Sequence, residues 1–285
     1  MSKTSVLTIG INNYPGVGSD LRGCVNDARD MSRLHSPNRS STPDAIDRSP
    51  FFHSADTLKI LVDDQCKQKA VIQAVGTFLS DLNDGDFGFL WLSSHGSYVK
   101  DADGDEPDKT DEVIVCQDFG LWTDDKIKRL IEMRNPNSLL FLGTDACHSG
   151  TVHRLYIPEN QPMPDKRVRF LPPDHFPEHA KVQKAPVRPP TPAIRIASQS
   201  ALKNVIHFAG CQDTEFCYDA SFQNKPNGAF TYYLLKALST LKPGATFGEW
   251  FSVACRYLPS VEYPQKPRCN AKPGVLALPI PLRKG

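Results

Sequence analysis

No stretch of these 285 residues reaches the roughly 20 consecutive apolar positions that a membrane-crossing helix needs. The eight cysteines contain no C-x-x-C pair. Scattered cysteines in a chain of this length argue against a disulfide framework and for a reducing compartment. Charge of one sign is missing too: 33 basic residues against 32 acidic ones leave a net +1. Such a balance exerts no general pull on nucleic acid or on a membrane surface. Met1-Ser2-Lys3-Thr4 runs straight into a strand-like segment, without the basic, apolar and small-residue succession of a secretory leader. Internal repeats are absent. These absences predict a cytoplasmic, monomeric protein with free thiols and with neither a nucleic-acid nor a membrane partner. What is present, 40% hydrophobic and 23% charged residues, supports a packed core and excludes global disorder. The length allows one large domain or two small ones.

Strand and helix patterns alternate along the chain. Apolar runs at 6–11, 58–62, 87–92, 113–116, 138–142 and 205–209 read as strands. Helical spacing covers 21–34, 69–82, 123–133, 229–241 and 246–257, with Thr123 as an N-cap ahead of Asp124 and Asp125. Residues 275–278, fenced by Pro273 and Pro279, read as a last edge strand. The alternation predicts an α/β fold, a three-layer α/β/α sandwich around a mainly parallel sheet. It breaks at residues 158–192, which hold ten of the 24 prolines and many basic residues. That segment reads as a long exposed loop.

Two strand ends carry chemistry. The run at 138–142 leads into Thr144-Asp145-Ala146-Cys147-His148-Ser149-Gly150, and the run at 87–92 ends in Ser93-Ser94-His95-Gly96. In open α/β sheets, ligands collect at such ends. A cysteine attacks as its thiolate, and a neighbouring imidazole supplies the base. His95 suits that role, whereas His148, next to Cys147 in an extended chain, points elsewhere. Gly96 offers a backbone N–H unobstructed by a side chain, and the Cys147 N–H is a second donor for an oxyanion.

These motifs, 52 residues apart from His95 to Cys147, resemble the metacaspases and the related bacterial caspase-like peptidases of the caspase-fold clan. The likeness extends to Leu21-Arg22-Gly23-Cys24-Val25-Asn26-Asp27-Ala28, to Asp111-Glu112-Val113-Ile114, to Gly210-Cys211-Gln212-Asp213 and to Gly228-Ala229-Phe230-Thr231, so it covers nearly the whole chain. It implies one caspase-like domain over 1–285, with a large-subunit part at 1–153, a Pro-rich activation loop at 154–203 and a small-subunit part at 204–285. It implies a cysteine endopeptidase with a His95–Cys147 dyad that cuts protein or peptide substrates after Arg or Lys. Asp27, Asp145, Cys24, Ser93 and Asp213 match the S1 pocket, where carboxylates pair with a cationic side chain.

The resemblance also implies a zymogen cut within the loop, by itself or by an upstream protease, with Arg154, Lys166, Arg167, Arg169, Lys181, Lys184, Arg188 and Arg195 as sites. A cell-death or defence cascade follows by family analogy alone. The chemistry requires no cofactor. A family calcium site maps to Asp111, Asp124 and Asp125, but its further Asp aligns with Arg154, whose cation opposes the metal. Asp124 and Asp125 equally suit a helix N-terminus. The acidic run at 101–105 places glycine fourth, where an EF-hand needs it sixth. Two other readings stay open: a catalytically silent caspase-like module binding basic peptides, and a peptidase cutting after Asp.

Overall fold

Seven consecutive buried residues, Thr4–Gly10, form the first strand, β1, in a computed structural model that describes residues 2–37, 49–100, 110–147, 166–181, 202–212 and 215–283. Helix α1 (Cys24–Arg33), β2 (Thr57–Val62), α2 (Gln68–Ser80) and β3 (Phe87–Ser93) follow. Then come β4 (Gly96–Lys100), β5 (Thr110–Val115), β6 (Leu121–Thr123), α3 (Asp124–Met133) and β7 (Leu139–Asp145). The later part comprises β8 (Lys166–Val168), α4 (Glu178–Lys181), β9 (Val205–Ala209), β10 (Tyr218–Phe222), β11 (Lys225–Gly228), α5 (Ala229–Leu238), α6 (Phe247–Ala254), β12 (Arg268–Ala271) and α7 (Pro273–Leu276).

The main sheet runs β12-β9-β7-β3-β1-β2. Its pairs are parallel except for β12, which lies antiparallel to β9. Residues of β3 alternate between two cores. Phe87, Phe89 and Trp91 join Phe141, Phe208 and the α1, α5 and α6 residues Met31, Leu234 and Trp250 on one face. Leu90 and Leu92 join Leu140, Leu142 and the α2 and α3 residues Val75, Leu79 and Ile131 on the other. Period-2 alternation thus feeds both faces of a sheet covered by helices on each side, the caspase-like α/β/α sandwich. Burying Phe89 or Phe141, both fully enclosed, contributes about 1.5–3 kcal/mol each.

Thr123 caps α3 as its position suggests, its hydroxyl accepting from the Lys126 N–H. Thr246 and Glu249 close a reciprocal capping box at α6. Two expectations need correction. Residues 275–278 are not an edge strand: Pro273 opens the short helix α7, where its missing N–H costs nothing, and the edges of the main sheet are β12 and β2. The stretch expected as exposed loop is anchored over 166–181, where β8 pairs with β10 and Arg169, Leu171, Phe176 and Ala180 are buried. Among the described residues, no helix is long and apolar enough to cross a membrane.

Register sets the site. Ser93 at the end of β3 pairs with Asp145 at the end of β7, so His95 and Cys147 each stand two residues beyond a level strand end. Two small sheets adjoin them: β4 of the β4-β5-β6 sheet starts at Gly96, and Cys217, just before β10 of the β11-β10-β8 sheet, reaches the Cys147 sulfur.

Candidate active site

Both neighbours of the His95 peptide hold it. Its N–H donates to the Tyr14 hydroxyl at 2.9 Å, the Tyr14 hydroxyl donates to the Val115 carbonyl, and Val115 N–H donates to the His95 carbonyl. The Tyr14 ring stands 4.8 Å from the imidazole. His95 Nε2 lies 2.6 Å from the Ser19 carbonyl. A carbonyl only accepts, so Nε2 carries the proton and the lone pair is left on Nδ1. Nδ1 has no hydrogen-bond partner among the described residues. Burial lowers the imidazole pKa, and the Ser19 carbonyl and the Cys147 sulfur offset this only in part. His95 is therefore neutral near pH 7, with its basic nitrogen available.

Cys147 is fully buried. Its sulfur accepts the Cys217 N–H at 2.8 Å. The N–H groups of Gly96 and Cys147 converge on one atom, the carbonyl oxygen of Arg169, at 2.9 and 3.3 Å. Two backbone donors aimed at one oxygen beside a thiol form an oxyanion cradle. A Cβ on Gly96 would sit 1.6 Å from the Cys147 carbonyl oxygen, so only glycine brings its N–H this close.

The Arg169 side chain extends into a pocket built from four directions, and it is itself 0% exposed. Nη1 donates to Ser93 Oγ at 2.7 Å and to the Asp145 carbonyl at 3.0 Å, and lies 3.2 Å from Asp145 Oδ2. Nη2 donates to Asp27 Oδ2 at 2.7 Å and to Asp219 Oδ1 at 2.9 Å. Cys24 completes the wall, and burial pushes its thiol up, which keeps it neutral. Gly228 passes so close that a Cβ there would meet Asp145 Oδ2 at 2.1 Å and Arg169 Nη1 at 2.6 Å. Each carboxylate is braced. Asp27 accepts from Ser93 Oγ, Asn227 Nδ2 and Gly228 N–H. Asp219 accepts from the N–H groups of Arg22 and Gly23, and Asp145 Oδ2 from the Thr231 N–H and hydroxyl. Burial raises the Asp145 pKa to about 6, against the pull of the Arg169 cation. Burial alone would also lower Arg169, but the carboxylates of Asp145, Asp27 and Asp219 outweigh it and hold the guanidinium charged.

The caspase-domain family matches residues 3–274. The chain belongs to that family. Among curated relatives, metacaspase-1 of Botryotinia fuckeliana is 35% identical over 160 residues, covering 53% of this chain and 35% of that protein. Metacaspase-1 of Meyerozyma guilliermondii is 26% identical over 299 residues, covering 94% and 69%. The chain thus spans well under half the length of several metacaspases it matches, 34% of that of Sclerotinia sclerotiorum among them. The crystal structure of protein GSU0716 from Geobacter sulfurreducens shares the fold with a TM-score of 0.70 at 23% identity, covering 99% of this chain and 100% of that one.

Within this caspase domain, Asp27, Asp145, Cys24 and Ser93 converge on one pocket, whereas Asp213 lies outside the described residues. The third carboxylate is Asp219, which sequence reasoning missed. So were Thr231 and the Tyr14 and Ser19 contacts that orient His95. No local signal pointed to Asp219: in β10 the apolar Tyr218, Ala220 and Phe222 take the face toward the α5–α6 core, and alternation puts Asp219 on the other face, where tertiary contacts bury it. Of the basic residues expected as cut sites, Arg154, Lys184, Arg188 and Arg195 lie outside the described residues. Lys181 ends α4. Lys166 lies over the Tyr263 ring and pairs with Glu262, and Arg167 donates to the Asp20 carbonyl. Arg169 is fully buried, which closes it to an outside protease.

Asp111 lies in β5 and Asp124 and Asp125 open α3, where the pairing of Val113 with Thr123 brings the two elements together. Asp125 lies 3.9 Å from Arg129, and the one metal-competent group among the described residues is Cys147, Cys211 and Cys217. Calcium at Asp111, Asp124 and Asp125 rests on the family resemblance alone, and no step is routed through it.

Proposed function

We propose that the chain is a cysteine endopeptidase that cuts after Arg, and after Lys less well, and that its own Arg169–Phe170 bond is its first substrate. One observation carries this reading: Arg169 has its carbonyl in the oxyanion cradle and its guanidinium among three carboxylates at the same time. The backbone agrees. Arg169 N–H donates to the Cys217 carbonyl at 3.0 Å, and residues 166–168 pair antiparallel with β10. This is the strand addition by which peptides dock on sheet edges. Beyond the bond, Leu171 N–H donates to the Gly96 carbonyl at 3.0 Å.

The chemistry follows from these positions. The Cys147 sulfur attacks the P1 carbonyl carbon as its proton passes to His95 Nδ1. The Gly96 and Cys147 N–H groups take the charge that develops on oxygen. His95 returns the proton to the departing amine, leaving a thioester on Cys147. Water, with its proton taken by the same nitrogen, then releases the acid. A lysine ammonium is a single point charge and cannot serve Nη1-type and Nη2-type contacts together, so Arg is preferred. An Asp side chain would face three carboxylates, which argues against the Asp-cutting reading.

Fluorogenic peptides with Arg, Lys or Asp at P1, offered to wild type and to Cys147→Ala, test this. Expected is turnover in the order Arg, then Lys, with none for Asp and none by the variant. Turnover by Cys147→Ala would overturn the mechanism, and binding of basic peptides without turnover by wild type would favour the silent module. The pH profile is a second check. His95 must be neutral and Asp145 charged, and both conditions fail as pH falls. With His95 lowered by burial and Asp145 raised to about 6 beside a guanidinium, kcat for Arg peptides, which reports the occupied pocket, is expected to hold near neutrality and to fall below about pH 6. An acid limb centred above pH 7 would contradict this assignment.

A further inference from the structure

Two thiols beside the nucleophile have no part in this chemistry. Cys211 lies just beyond β9, and Cys217 immediately before β10. Their sulfurs are 2.7 Å apart, and both face the Ala146 carbonyl, at 3.8 and 3.2 Å. With Cys147 they form a cluster whose three sulfurs lie within 4.8 Å of one another. All three are 0–5% exposed, with Val168, Phe170 and Phe216 packed against them. Burial pushes the Cys211 and Cys217 thiols up, so both rest protonated and serve as donors. A core that needed only apolar filling would not gather three oxidisable groups against the one sulfur it must keep reactive.

We propose that Cys217 and Cys211 form a thiol relay that rescues an oxidised Cys147. A peroxide is the oxidant. The Cys147 thiolate attacks one peroxide oxygen and becomes the sulfenic acid, with hydroxide leaving. The Cys217 sulfur, having lost its proton, attacks the Cys147 sulfur and expels the oxygen as water, forming a Cys147–Cys217 disulfide. Cys211 then attacks Cys217 and releases the Cys147 thiolate. In sum, one peroxide and two thiols give two waters and a Cys211–Cys217 disulfide, with the nucleophile reduced. Without the relay, the sulfenic acid goes on to the irreversible sulfinic acid.

The inference rests on Cys147 being the reactive thiol, but its readout is mass and is independent of turnover, so loss of the peptidase reading would leave it testable. The purified full chain is held for hours in about tenfold hydrogen peroxide with a chelator, alkylated, and read by peptide mass spectrometry. In wild type, Cys211 and Cys217 are expected as a disulfide with Cys147 still alkylated. In Cys211→Ser, the relay stops one step early and the Cys147–Cys217 disulfide accumulates. In Cys217→Ser, Cys147 gains two oxygens at least tenfold faster than in wild type. Sulfinic acid at Cys147 forming equally fast in wild type and Cys217→Ser overturns the proposal. So does a wild-type chain whose Cys211 and Cys217 remain free thiols after the treatment.

Discussion

Arg169→Gln is expected to leave the chain uncut at this bond and to destabilise the uncut protein by about 3–5 kcal/mol, the usual cost of removing one partner from a buried ion pair. The reason is electrostatic. Asp27, Asp145 and Asp219 are all 0–2% exposed and share one cation. Gln keeps much of the volume and loses the charge, so three carboxylates remain in a desolvated pocket. At roughly 2–4 °C per kcal/mol for a chain of this order of size, thermal unfolding registers the loss directly. Its pH dependence has a definite sign. Without the cation, the Asp145 pKa rises beyond the value of about 6 that it has beside Arg169, whereas the unfolded carboxyl titrates near 3.9. Between those values the folded state binds more protons than the unfolded state, so stability falls as pH rises. The deficit against the uncut chain, held as Cys147→Ala, is therefore larger at pH 8 than at pH 5. Millimolar acetyl-argininamide, a free occupant of the same pocket, is expected to restore part of it. Equal Tm values at pH 8 for Cys147→Ala, which cannot cut itself, and for Cys147→Ala with Arg169→Gln, or continued cutting between residues 169 and 170 in Arg169→Gln, would remove Arg169 from the pocket that defines the proposed specificity.

The same residue shows where the sequence was legible and where it was not. His95 and Cys147 follow apolar strands, and each strand is a local signal. The β3–β7 register then sets their ends level, which is what two neighbouring parallel strands of similar length do. The alternating elements likewise foretell the sandwich. Arg169, by contrast, stands in a proline-rich stretch whose local chemistry says loop. Its structure comes from pairing with β10, some 50 residues away, and from carboxylates on α1, β7 and β10. Nothing within a window around residue 169 encodes those contacts. Asp219 was hidden for a similar reason. It reaches the pocket only because the N-terminus of α1 offers it the Arg22 and Gly23 N–H groups, a meeting of segments nearly 200 residues apart. Tyr14 sits in a turn whose Asn, Pro and Gly explain the bend and conceal the aromatic ring that seats His95. Local rules thus reach the strand ends, and the walls of the pocket are tertiary.

Those walls differ in how they tolerate loss of charge, and Asp145→Asn is the clean deletion. Asp145 Oδ2 takes both Thr231 donors, while Oδ1 has no hydrogen-bond partner among the described residues. An asparagine that places its oxygen at the Oδ2 position keeps both Thr231 bonds, puts its amide where nothing is bonded, and removes one negative charge. Asp27 gives no such choice, since both of its oxygens accept from neighbouring donors, so Asn there would set a donor against a donor. For Asp145→Asn, kcat/KM on an Arg peptide is expected to fall by roughly two to three and a half orders of magnitude. This corresponds to about 3–5 kcal/mol for breaking a buried charged contact at tenfold per 1.4 kcal/mol. A peptide with citrulline at P1, isosteric with Arg but neutral, should lose far less, so the Arg-to-citrulline ratio collapses. The stability of the cut enzyme with its pocket empty should move the other way, unchanged or higher, because one of three like charges crowded without a counter-ion is gone. Activity falling while stability holds distinguishes a carboxylate kept for substrate charge from one kept for packing. Equal losses on Arg and citrulline peptides, or a Tm that drops with the activity, would assign Asp145 to the scaffold and leave Asp27 and Asp219 to read the guanidinium.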